Sequence, residues 1–379
     1  MSVVPPDASA GGSDGRIARS PFRRIVRLAA PFAGLAVAWT LFAVLAGGPF
    51  LSIDNQRLML LQTAVVGTAA VGATIIIISG GIDLSVGSTI AIVTMIVALL
   101  LSKGSGPWLA TLGGVGLAAV IGLSIGWLVI GHGAWVLGLG AGGVVAAFAW
   151  RWGGTTALAL GLAAAAGATF VLRRRLGRLP LSPFIVTLGM WGAVRGLAKG
   201  IGGSQPIYPS LEARGWLDRL MSLTGGIGPV PIGVIVLVAT ALVAAAMLRY
   251  TVLGRHIVAT GSNEHAARLC GVPVARVKLL TYVIGVACAG IAGVLQFSFL
   301  TMGDPTTAGG YELKVIAAAV IGGASLAGGE GSIVGALAGA LLMTVVDNGC
   351  TKMGLDNWVQ ETVTGAIIVA AVAVDRLRR

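Results

Sequence analysis

Titratable chemistry is scarce in this sequence: only 11% of its 379 residues are charged, 14 are acidic and three are histidine. A soluble domain of this length carries far more charge, so that class is excluded. Cysteine is equally sparse, with Cys270, Cys288 and Cys350 widely separated, outside any C-x-x-C and away from histidine pairs at ligand spacing. That excludes a disulfide framework and leaves no expectation of a structural metal or a cofactor; the thiols are expected to be free. The net charge of +12 invites a nucleic-acid reading. However, the basic residues cluster between apolar runs with no basic-aromatic interleaving, and no nucleic-acid partner is expected.

Apolar surface and glycine fill the space. Hydrophobic residues make up 56% of the chain, glycines number 59, and mean hydropathy is +0.92. The chain reads as an all-α integral membrane protein, a polytopic helix bundle in the lipid bilayer. Many glycines fall in small-xxx-small patterns such as Gly122/Gly126 and Gly335/Gly339, which let helices approach closely in lipid. Taking about 20 apolar residues per crossing, helices are expected near 28–46, 58–78, 85–101, 107–130, 134–150, 155–172, 183–200, 230–248, 278–300, 313–327, 331–349 and 358–375. That makes about 12 transmembrane segments, some of them partial spans beside glycine breaks.

Residues 1–27 read as a disordered cytoplasmic tail ahead of a transmembrane domain over 28–375, with a basic end at 376–379. Topology tests the count. Arg16 to Arg27, the cluster Arg173-Arg174-Arg175 with Arg178, Arg249 to Lys278, and Arg376 to Arg379 all fall on one side if the helices pair as expected. The opposite loop, 201–229, is near neutral. Both termini are therefore expected in the cytoplasm.

Two polar breaks interrupt the apolar runs. Ile78-Ser79-Gly80-Gly81-Ile82-Asp83-Leu84-Ser85-Val86-Gly87-Ser88 sets paired glycines and a carboxylate at membrane depth, and Gly322 to Ser332 repeats the pattern later. Asp83 or Ser85 can cap a helix starting at about Val86; alternatively the broken helix lines a pathway, which makes Gly81, Asp83, Ser85 and, by the resemblance below, Thr187 the candidates. The basic stretch 254–273 has a short-helix pattern, with Ser262 or Asn263 as cap, Glu264 in the first turn and Gly271 with Pro273 as stop. It reads either as a solvated loop or as a docking helix for a cytoplasmic partner. Arg195 and Lys199, at i, i+4 spacing, are expected to snorkel to the outer interface, Arg195 the deeper.

Enzyme-like strings fail on context. Gly138 to Gly143 fits G-x-G-x-x-G without a preceding strand, so its glycines are assigned to helix packing. Gly122-Leu123-Ser124-Ile125-Gly126 lies inside an apolar helix and not on a strand-turn-helix elbow. Ser325 raises an intramembrane serine protease, the rival class, but His132, His256 and His265 are poorly placed to serve it. There is no Gly-Lys-Ser/Thr phosphate loop, so the chain is not expected to be an enzyme that hydrolyses ATP.

The motifs together resemble the membrane permease subunits of bacterial ATP-binding cassette importers for simple sugars, the ribose, xylose and galactose type. The resemblance rests on Gly80 to Ser88, Pro183-Phe184-Ile185-Val186-Thr187-Leu188-Gly189, Gly261 to Gly271, Gly309-Gly310-Tyr311-Glu312-Leu313, Ile316 to Ser332 and Asp347-Asn348-Gly349. It implies a multi-pass protein of the bacterial inner membrane that pairs with a second permease copy, receives a monosaccharide from a periplasmic binding protein and is driven by a cytoplasmic ATPase. It maps ATPase coupling onto Arg255, Asn263, Glu264, Ala267 and Gly271, and translocation onto Gly81, Asp83, Ser85 and Thr187. Permeases for branched-chain amino acids or a sugar-derived signal are the neighbouring alternatives. Two departures stand out. Members of the family carry about ten helices, so 134–176 is an inserted helix pair, and Ile125-Gly126 stands where the family tends to have Asn-Gly.

Overall fold

The computed structural model describes residues 21–149, 153–176, 181–223, 226–227 and 230–377. It begins with α1 (Pro21–Ala46), α2 (Gly48–Leu51), α3 (Ile53–Ile78), α4 (Val86–Ser102), α5 (Pro107–Val129), α6 (Gly133–Ala149), α7 (Gly154–Leu176) and α8 (Pro183–Ile201). Two single turns, α9 (Leu211–Arg214) and α10 (Leu217–Leu220), precede α11 (Ile232–Tyr250), α12 (Val252–Ser262) and α13 (Glu264–Leu269). The chain closes with α14 (Val274–Leu300), α15 (Tyr311–Ile321), α16 (Ile333–Lys352) and α17 (Asn357–Leu377).

Each expected apolar segment falls on a helix, although the count of twelve crossings does not follow from that. Seven described helices are long and apolar enough to cross a membrane, with Pro31–Ala46 and Val86–Ser102 as shorter apolar stretches. The expected helix 313–327 stops at Ile321, and its 11 residues span only about 16 Å. The first helix starts at Pro21, so residues 21–27 of the expected tail are helical, while residues 1–20 lie outside the described part.

The helix α3 is apolar around its whole circumference and buried from Thr63 to Ile78, as a helix at the centre of a bundle must be. Its main partner is α14, which also packs on α4 and α5; α16 closes the other side against α1, α3 and α15. Small residues set these distances. A Cβ on Gly72 would overlap the Gly285 carbonyl of α14, and one on Gly122 would stand 2.6 Å from the Tyr282 carbonyl. Gly335 and Gly339 meet the backbone of α15 at Gly322 and Ala318 in the same manner.

The pair α6 and α7 packs chiefly on itself. Of the three motif glycines of the G-x-G-x-x-G string only Gly138 packs on α7, against Thr169 and Ala165; Gly140 and Gly143 face open space, and the close approach to Gly161 is made by Gly142 between them, which corrects the assignment of the whole string to helix packing. The loop 201–229 holds α9 and α10. It also begins a two-stranded antiparallel hairpin, Gly226–Ile227 against Val230–Pro231, absent from the all-helical expectation.

After α14 the chain turns at Thr301 (φ 59°) and doubles back into the bundle. Gly303 pairs with Ile207, the Asp304 N–H donates to Thr94 Oγ1 (3.2 Å), and Gln296 donates to Thr307 Oγ1 (3.0 Å). Arg195 supplies the strongest tie: its guanidinium donates to the carbonyls of Pro305 (3.0 Å) and Thr307 (2.7 Å). Arg195 is half-buried and Lys199 exposed, so Arg195 is the deeper of the pair, as expected. The returning segment offers carbonyls lacking helical partners, and an inward-turned guanidinium satisfies them.

Candidate coupling and translocation site

The first break begins where α3 ends. Gly81 N–H donates to the Ile76 carbonyl (3.0 Å) and Gly80 N–H to that of Ile77 (2.9 Å), with Gly80 at φ 81°. This Schellman pattern needs a left-handed residue, which glycine adopts without a Cβ penalty. The second break repeats it: Ala324 N–H donates to the Ala319 carbonyl and Gly323 N–H to that of Val320, each at 2.9 Å. The coupling segment repeats it once more, Val272 N–H donating to the Ala267 carbonyl (3.0 Å) and Gly271 N–H to that of Arg268 (3.1 Å). Gly271 therefore stops α13, as its position in the sequence suggests.

Between the helices, residues 81–85 are non-helical, and Asp83 and Ser85 are buried there, at 2% and 0% exposure. Asp83 Oδ1 accepts from the Ser85 N–H (2.8 Å) and the Ser85 hydroxyl (2.6 Å). The expectation that one of them caps α4 is corrected. Ser85 occupies the N-cap position with a right-handed backbone (φ −83°, ψ −2°), and its hydroxyl turns back to the carboxylate instead of meeting the first-turn amides. Thr187 on α8 joins the break directly, donating to the Ile82 carbonyl (3.2 Å) and within its own helix to that of Pro183 (3.0 Å). Gly81 faces α14, where its absent Cβ would lie 2.6 Å from the Tyr282 hydroxyl. The structure thus gathers Gly81, Asp83, Ser85 and Thr187 around one short segment.

The coupling stretch is two helices, not one. Thr251 caps α12, and Asn263, between α12 and α13, accepts from the Ala266 N–H (2.9 Å). Asn263 is therefore the cap, and Ser262 ends α12 with its hydroxyl on the Val258 carbonyl (2.9 Å). Ala267 is buried, whereas Arg255, Asn263, Arg268 and Leu269 are exposed. Glu264 accepts from Arg268 one turn on (2.9 Å) and from Lys278 at the start of α14 (2.6 Å). Burial works against its ionisation, but Lys278 and then Arg268 outweigh it and hold the carboxyl below its usual range.

The coupling stretch meets both breaks at one point. The Gly329 N–H of the second break donates to the Ile78 carbonyl at the end of α3 (2.8 Å). Gly261, in the last turn of α12, lies against that bond: a Cβ there would overlap the Ile78 carbonyl oxygen and stand 2.7 Å from the Gly329 nitrogen. Gly328 in turn would meet the Gly261 carbonyl at 2.7 Å and Gly80 at 3.0 Å. Three segments far apart in sequence touch backbone to backbone, and glycine alone permits it. Ser325 lies in the same turn, its N–H on the Glu330 carbonyl (3.0 Å), while His256 and His265 sit on α12 and α13. That arrangement provides no support for a serine nucleophile.

Sequence reasoning passed over Lys278, Tyr282 and Leu269. The signal for Tyr282 was a lone tyrosine inside the apolar run 274–300, one turn beyond a lysine. For Leu269, 77% exposed, it was a leucine closing a short polar helix.

The chain is similar to known membrane permeases. A family model described as branched-chain amino acid transport system / permease component matches residues 126–372. The ribose import permease protein RbsC of Escherichia coli (strain K12) is 33% identical, covering 87% of this chain and 88% of that protein. The ribose import permease protein RbsC of Bacillus subtilis (strain 168) is 31% identical over 94% and 95%, and the xylose transport system permease protein XylH of E. coli (strain K12) is 33% identical over 86% of each. No solved structure matches the chain.

Proposed function

The chain belongs to the family described as branched-chain amino acid transport system / permease component, and we propose that it is the membrane permease of an ATP-driven importer for a monosaccharide. The relatives are named for ribose and xylose, which favours a sugar over a branched-chain amino acid. The partners that follow from this reading are a cytoplasmic ATPase, a periplasmic binding protein that delivers the sugar, and a second permease copy, in a homodimer. The protein sits in the inner membrane with both termini in the cytoplasm, in line with the clustering of Lys and Arg.

One observation carries the coupling mechanism: Gly261 at the end of α12 rests on the hydrogen bond that ties the two breaks together. The ATPase docks on α12 and α13, using Arg255, Asn263, Glu264, Ala267 and Gly271 as contact or shaping residues. Its closure on ATP moves α12, and the junction passes the displacement to both breaks, re-aiming α4 and α15. Gly81, Asp83, Ser85 and Thr187 shape the moving segment and the adjacent path. Helices broken within the bundle are a recurring way to build such a path.

Uptake of a panel of labelled monosaccharides, measured in cells with and without the chain, tests the proposal. Loss of uptake for one sugar on deletion, restored by the gene, is the expected result. Unchanged uptake of every sugar, with loss of branched-chain amino acid uptake instead, would overturn it.

A further inference from the structure

Two polar groups at the first break are buried without a hydrogen-bond partner: Asp83 Oδ2 and the Tyr282 hydroxyl. Their residues are 2% and 1% exposed. Asp83 spends its other oxygen on Ser85, and the Tyr282 hydroxyl rests against Gly81, two residues from Asp83. A buried hydroxyl and a buried carboxyl oxygen at the same break are complementary groups, and leaving both unmade is costly.

Tyr282 is also mechanically placed. It stands four residues after Lys278 on α14, so both lie on one face of the helix. Lys278 grips Glu264 of the coupling helix at 2.6 Å. A pull on α13 therefore reaches α14 one turn from Tyr282, and Tyr282 abuts the break.

We infer that Tyr282 is a positioning residue for transport: when the coupling helices move, its hydroxyl donates to Asp83 Oδ2 and latches the break in a second conformation. The inference rests on the importer reading above. A buried hydrogen bond shifts a two-state equilibrium by up to about tenfold, enough to bias which conformation the nucleotide-bound complex adopts.

Tyr282→Phe, Asp83→Asn and the double variant test this in the full chain, assembled with its ATPase and binding protein in lipid nanodiscs or vesicles. Tyr282→Phe removes a hydroxyl that is unpartnered in the conformation described here, so the melting temperature should hold or rise. Sugar uptake per ATP hydrolysed should fall about tenfold, and the double variant should be no worse than the more impaired single one. In the wild type, trapping with ATP and vanadate should slow hydrogen exchange over residues 79–88, and Tyr282→Phe should abolish that slowing. Wild-type uptake and exchange in Tyr282→Phe would overturn the latch, as would a loss of uptake that merely follows a lowered melting temperature. The exchange measurement needs no sugar. If no sugar is taken up while the exchange difference persists, the substrate assignment fails and the latch stands.

Discussion

Gly261→Ala separates a mechanical junction from an incidental contact. The added methyl would overlap the Ile78 carbonyl oxygen and come within 2.7 Å of the Gly329 nitrogen, and both are backbone atoms with no rotamer to change. Overpacking of this kind costs roughly 1–3 kcal/mol. Parting the Gly329 N–H from the Ile78 carbonyl adds about 1 kcal/mol, so a total near 2–4 kcal/mol is expected, concentrated where three segments meet. The relevant assay reconstitutes the permease with its ATPase and binding protein, then measures sugar uptake and ATP hydrolysis on the same vesicles. Under the proposed docking on α12 and α13, uptake should fall by more than about tenfold while hydrolysis continues, because movement of α12 no longer reaches the breaks in register. Gly104→Ala, in the turn between α4 and α5, is the control. A Cβ at Gly104 meets open space, and the variant carries only the strain of its positive φ, about 1 kcal/mol. If Gly261→Ala keeps wild-type uptake per ATP and melts with the wild type, the junction is not the route of coupling.

Other positions give sharper local tests. Leu269→Asp should weaken binding of the ATPase, measured by co-purification, without moving the melting temperature, because the side chain is 77% exposed. Lys278 and Arg268 hold the Glu264 carboxyl below its usual range, so their contribution is present at neutral pH and fades as pH falls through that lowered value. Protection of α13 against hydrogen exchange, taken relative to the intrinsic rate at each pH, should accordingly fall at low pH in the wild type, and Glu264→Gln should already show the lower protection at neutral pH. Near the far end of α3, the side chains of Asn55 and Asn348 donate to each other at 2.9 and 3.0 Å and are both buried. Asn348→Ala strands its partner and should cost roughly 1–3 kcal/mol by thermal unfolding, and the double replacement should cost less than the two singles summed.

Helix positions were legible in the sequence because length and hydropathy fix them, and Val86 as the start of α4 was readable from the glycine-acid-serine break before it. Cap chemistry was less so. Asp83 and Ser85 have the right residue types, but which oxygen meets which donor depends on the right-handed backbone at Ser85, in a break that Thr187 of α8 also ties at the Ile82 carbonyl. The partners of Arg195 were hidden for a related reason: nothing local announces that residues 301–310 return to claim its guanidinium. The contact of Gly261 with Ile78 and Gly329 spans most of the chain, and pairing at that range has no signature in local spacing.

The glycines explain why such a junction can switch instead of merely bending. A contact between long side chains absorbs small displacements by rotamer adjustment, and little is passed on. At Gly80, Gly261 and Gly328 backbone meets backbone, so a shift of α12 must either move the ends of α3 and α15 or break the Gly329 to Ile78 hydrogen bond. Packed elements of this kind have discrete arrangements and few intermediate ones. Enlarging any of the three should therefore impair coupling more than folding, and the effect should track the overlap created: larger at Gly261, where the methyl meets a carbonyl oxygen, than at Gly80, where the nearest atom across the junction is 3.8 Å away and the positive φ supplies most of the strain.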